Sequence, residues 1–195
     1  MNEIFLLKLK KEPTHLPKPK RLGTSAVSSN RANIAEFWVN ASDDIRNEVL
    51  AEQPEVQDIE AIAFVIVTLP DVTIFSTTKT ENNDSYSNPF VIANEHIKES
   101  TPLAPGINGT KGREIVIVDW EDATYNFRGA EAETIKLIPG VVISTTVGFL
   151  VDSSNERIMV LGRYNKEDRM YKDRRGIPQA MIRSLDYLIP DRKTN

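Results

Sequence analysis

Cysteine is absent from the 195 residues, which excludes disulfides, Cys-ligated zinc and thiol nucleophiles. Histidine occurs only twice, at His15 and His96, so a site built from several histidines cannot form within one chain. Long apolar runs are missing as well. The longest, 61–69, is interrupted by Thr68 and falls far short of the roughly 20 residues of a spanning helix. The basic residues Lys8, Lys10 and Lys11 follow the short apolar run 4–7 instead of preceding it, the reverse of a secretion leader. From these gaps we expect no catalytic residue, no cofactor, no metal and no membrane partner. The expected location is a cytoplasm or the inside of a virion.

What is present suits a globular chain, with 40% hydrophobic and 27% charged residues. The net charge of −4 is unevenly spread. Residues 1–30 hold six Lys/Arg against two Glu, whereas 31–100 hold four Lys/Arg against thirteen Asp/Glu. Residues 113–195 hold thirteen of each sign. The stretch 8–21 carries Lys8, Lys10, Lys11, Lys18, Lys20 and Arg21 among three prolines. It reads as an extended arm that can lie along a partner or a phosphate backbone.

Self-similarity points to two units. The two tryptophans open related segments, WVNASDDIR at Trp38 and WEDATYNFR at Trp120. At an offset of 82, Trp38/Trp120, Ala41/Ala123 and Arg46/Arg128 are identical. At an offset of 85, Phe64 meets Phe149, Tyr86 meets Tyr171, Ile92 meets Ile177 and Ile97 meets Ile182. The repeated Trp38, Arg46, Phe64, Trp120, Arg128 and Phe149 read as a structural signature, a Trp closing each core with an Arg across it. The segment 101–112, rich in Pro, Gly, Ser and Thr, reads as a linker.

Each unit then shows short β segments. Expected strands are 114–120, 141–151 and 157–164, with turn chemistry at 152–155. In the first unit, 61–69 and 72–78 make a hairpin around Pro70 and Asp71. Ser42 caps a helix over 43–52, with Asp43 and Asp44 at the favourable end of its dipole. A short helix is expected at 130–136 and one or two helical turns at 179–185. The fold class is mainly β (α+β): two tandem SH3-like small barrels, each with a short helix. They span 31–100 and 113–190, after an arm at 1–30 and before a tail at 191–195.

The second unit resembles a family of small, uncharacterised domains encoded by bacteria and phages. The residues are Trp120 with Asp122, the run Val147-Gly148-Phe149-Leu150-Val151, the aliphatic strand 158–161, and Ile177-Pro178 with Ile182. In the first unit Ala63 stands for the Gly and Ala93 for the Pro. The resemblance implies a small β-barrel in a phage or prophage setting, and no particular reaction.

Chemical motifs are few. The segment 106–112 lacks the G-K-[ST] ending of a phosphate loop. Acid pairs such as Asp43/Asp44, Glu121/Asp122 and Glu167/Asp168 have no His or Cys at a useful spacing. The hairpin 163–175 gathers Arg163, Arg169, Tyr171, Lys172, Arg174 and Arg175. It could grip a phosphate backbone with Tyr171 stacked on a base. The first unit keeps Tyr86 there without the basic charge. The expectation is a non-enzymatic protein-binding or structural component of a phage or mobile-element assembly. Its partners would be other proteins, virion components or a second copy. The alternative is a nucleic-acid accessory protein that uses the arm and this hairpin.

Overall fold

The computed structural model describes residues 4–17, 29–51, 53–80, 85–106, 113–122 and 142–191. Lys18, Lys20, Arg21, Arg128 and the helix expected at 130–136 lie outside them. Among the described residues the chain is mainly β, with fourteen strands in one sheet and two short α-helices. The first half contains β1 (Ile4–Lys11), β2 (Thr14–His15), β3 (Ser29–Asn30), α1 (Arg31–Val39) and α2 (Asp43–Ala51). It continues with β4 (Glu55–Thr68), β5 (Val72–Ser76), β6 (Thr78–Thr80), β7 (Ser85–Ser87), β8 (Phe90–Ala93) and β9 (Ile97–Pro105). The second half contains β10 (Ile115–Asp122), β11 (Val142–Ser153), β12 (Arg157–Asn165), β13 (Met170–Pro178) and β14 (Ile182–Pro190).

Seven of these strands close a barrel. β4 pairs with β1, β1 with β9, β9 with β14, β14 with β10, β10 with β11, and β11 with β12. β12 completes the ring by pairing with β4. It does so because it is shared: residues 158–161 lie on β11 and 163–165 on β4. Strands of both halves therefore form one wall.

The two halves repeat the same registers. Phe64 pairs with Ser76, and Phe149 with Leu161; Val72 pairs with Ala93, and Arg157 with Pro178. Thr78 pairs with Ser87, and Arg163 with Lys172. Every second-half residue stands 85 positions further on, as in Phe64 to Phe149. β1 and β10 correspond at a shift of 111. Ile4 lies between Phe64 and Leu103, and Ile115 between Phe149 and Leu188. The bulges recur too, between Val65 and Val67 and between Leu150 and Asp152.

The contacts across the halves are reciprocal. β6 lies on β11 with Thr78 opposite Thr146, and β12 lies on β4 with Arg163 opposite Ala61. In the β9–β14 pair, Leu103 faces Pro190 and Pro105 faces Leu188. Exchanging the halves maps each contact onto its mate, so an approximate twofold axis relates them. Near that axis Thr77 meets its counterpart Gly162, where an added Cβ would sit 2.5 Å from Thr77 Cγ2.

Alternation on the strands sorts the core into three clusters. Leu7, Leu9, Ile59, Phe75, Phe90 and Ile92 form one in the first half. Val116, Val118, Trp120, Ile158, Val160 and Ile177 form its counterpart in the second. Ile62, Phe64, Val147, Phe149 and Leu188 build the third between them, joined by Ile34, Trp38 and Val49 of the helices.

Several expectations are corrected. Residues 4–11 of the expected arm are β1, with Leu7 and Leu9 buried. Both faces of this strand meet a core, so its apolar residues do not alternate cleanly. The expected linker begins inside β9. Trp38 has no counterpart in Trp120. It lies in α1, where Asn30 accepts a hydrogen bond from the Asn33 N–H and Ile34 and Trp38 bury one face. Trp120 lies in β10, and the register places Leu9 opposite it across the axis. At the offset of 82, Trp38 and Trp120 fall on different elements, and Ala123 and Arg128 lie outside the described residues; the match at 85 is the register of the sheet. Residues 170–175 of the expected hairpin lie in β13, and 179–185 hold one 3-10 turn, Gln179–Met181, before β14.

Candidate interaction edge

Ion pairs within the fold take up much of the expected basic surface. Lys8 Nζ lies 2.5 Å from Glu99, its register partner on β9. That hydrogen bond raises the Lys8 pKa above its ordinary value, and it holds the Glu99 carboxyl below the usual range with help from Thr101. Lys98 does the same for Asp58 through a direct hydrogen bond. Lys10 is exposed, with Nζ 3.4 Å from the Glu95 carbonyl, and Lys11 is half-buried at the end of β1.

The hairpin residues divide. Arg163 is buried and donates to both carboxylate oxygens of Asp173, at 2.9 Å through one terminal nitrogen. It also reaches Glu12 at 3.4 Å, and its guanidinium stacks 4.5 Å from the Phe90 ring centre. Lys172 donates to Glu12 at 2.7 and 2.8 Å. Glu12 and Phe90 belong to the first half, so this network ties the halves together. Tyr171 is half-buried, 4.6 Å from the Tyr164 ring and 6.2 Å from Phe149. Arg175 lies over Trp120 at 5.7 Å. Arg169 and Arg174 stay exposed, Arg174 with Nε 3.1 Å from Met159 Sδ.

The repeat-signature residues are built into the fold. Phe64 and Phe149 fill the shared core. The Trp120 indole N–H donates to Thr146 Oγ1 at 3.0 Å. Arg46 donates to the Trp38 and Val39 carbonyls and so satisfies the end of α1. Beside it lies an open cavity of about 210 Å³, lined by Trp38, Val39, Arg46, Leu69, Pro70 and Asp71. Sequence reasoning missed a further cluster. Glu60 is nearly buried between Arg113 at 2.6 Å and Lys166 at 2.9 Å, and Arg113 stacks 3.9 Å from the Tyr164 ring centre.

The halves differ most at their outer strands. β8 is covered by β2, with Thr14 opposite Val91 and His15 opposite Phe90, and Leu16 N–H donates to the Pro89 carbonyl at 2.8 Å. β7 is covered by β3. The counterpart of both is β13, and among the described residues β13 pairs with β12 alone. Pro89, Phe90 and Val91 correspond to Arg174, Arg175 and Gly176. The adjoining face differs in the same sense. Ile66, at 1% exposure, lies among residues packed with α1 and α2, whereas its counterpart Val151 is 47% exposed. Val72 is buried and its counterpart Arg157 is exposed. Met170 is exposed at the start of β13.

Among the described residues, no group of three or more His, Asp or Glu is placed to hold a metal, and no helix is long and apolar enough to cross a membrane. Comparison with family models, with curated proteins and with solved structures finds no match for the chain.

Proposed function

We propose that the chain is a duplicated SH3-like unit that serves as a non-enzymatic, protein-binding component of a phage or mobile-element assembly. The duplication is supported by the shared registers. Each half has a first strand between its second and its last, a long bulged second strand and a 3-10 turn before the last strand. That order of strands supports the SH3-like reading of each half.

One observation carries the binding role: among the described residues β13 pairs with β12 alone, at the place where its first-half counterparts β7 and β8 are covered. A long edge strand offers unpaired N–H and C=O groups to another chain. The nucleic-acid reading is weaker, because Lys8, Arg163 and Lys172 are spent on Glu99, Asp173 and Glu12, and half-buried Tyr171 packs against the core.

The test is retention of source-cell extract at low salt on the tagged full chain, with and without nuclease. Proteins that stay after nuclease treatment support the reading. Retention that disappears with nuclease overturns it in favour of nucleic acid, whose binding would also fall steeply with salt.

A further inference from the structure

Among the described residues β13 ends the sheet, and its chemistry limits what can pair with it; the first half displays the mode of pairing. On β8 the Pro89 carbonyl faces outward to Leu16 N–H, and Val91 sits opposite Thr14. By the 85-residue correspondence, the outward groups of β13 belong to Arg174 and Gly176. The change from Pro89 to Arg174 adds a donor, because proline has no N–H. The change from Val91 to Gly176 removes a side chain next to the edge.

Charge selects the occupant. Asp173 and Glu12 are neutralised by Arg163 and Lys172, whereas exposed Asp168 and Glu156 stand beside Arg169 and Arg157. Arg174 is exposed on β13, Arg169 lies in the turn before it, and exposed Arg157 stands beside its far end, opposite Pro178. A second copy pairing edge to edge would set these arginines against their own equivalents, and like charges across strands are unfavourable. Building on the protein-binding reading, we propose that the outer edge of β13 takes an extended, acidic segment of a partner protein as an added antiparallel strand. Arg174 and Gly176 would supply the main-chain bonds, and the Arg174 side chain would select Asp or Glu.

The experiment uses the full chain and two nine-residue synthetic peptides alternating Val or Thr with Glu, or with Lys in place of Glu. Amide exchange of Arg174 and Gly176 is followed by NMR during titration. The acidic peptide is expected to slow both amides by about tenfold or more, and Arg174→Glu to weaken its binding by about tenfold, the effect of a few cross-strand charge contacts. The lysine peptide is expected to leave both amides unchanged. Three results overturn the proposal: both amides already protected in the free protein, equal protection by the lysine peptide, or acidic-peptide binding that Arg174→Glu leaves intact. Nuclease-resistant protein retention that survives Arg174→Glu would sink strand addition while leaving the protein-binding reading standing.

Discussion

Gly162 sits where the two halves come closest. Its position corresponds to Thr77, and the two face each other near the axis, so there is room for only one side chain. A Cβ on Gly162 would lie 2.5 Å from Thr77 Cγ2 and 3.2 Å from Asp173 Cβ. We expect Gly162→Ala to lower stability by about 1–3 kcal/mol, the usual cost of overpacking. Thr77→Ala should restore most of that loss in the double variant. Urea midpoints of the four proteins test this, and strict additivity would show that the two sites do not touch. A second residue-scale effect is electrostatic. Glu99 and Asp58 are held below the ordinary carboxylate range by Lys8 and Lys98. A depressed carboxyl stabilises the fold above its unfolded-state pKa, and that contribution disappears as pH falls through the folded value. Urea midpoints should therefore decline on acidification, and less so in Glu99→Gln. Both groups face solvent, so the difference is small and shrinks further with added salt.

At the scale of elements, β1 is the piece whose role changes most between sequence and structure. Removing residues 1–11 strips a strand from the wall, and with it Leu7 and Leu9 from the first-half core. The truncated chain is expected to lose its near-ultraviolet circular dichroism and dispersed amide spectrum. A merely detachable arm would leave both intact. The β4–β5 hairpin, the strands β10 to β12 and the Ser42-capped helix were legible in the sequence. Their signals are local: β-branched runs, turn residues and a cap. α1 was not read because its apolar residues are spread around the helix instead of gathered on one face, and Trp38 had been aligned with Trp120. β1 was missed because its eight residues end in lysines, and its partners β4 and β9 lie far along the chain. The candidate site was legible as a basic hairpin. Which of its cations stay available depends on Glu12, a residue of the other half, and no local pattern carries that.

For the whole molecule, the shared cluster around Phe64 and Phe149 and the reciprocal pairings leave neither half with a complete wall. Thermal unfolding should be one transition, with calorimetric and van't Hoff enthalpies in agreement. Two resolved transitions would mean that the halves fold independently. The covering of β7 and β8 has a further consequence, in valency. A symmetric pair of halves would display two equivalent docking edges, one on each side of the axis. Such an object links partners into strings. Here β3 and β2 already occupy one side, and among the described residues β13 is left uncovered on the other. Under the proposed strand addition the molecule would take one such partner, and it would act as a terminus in an array.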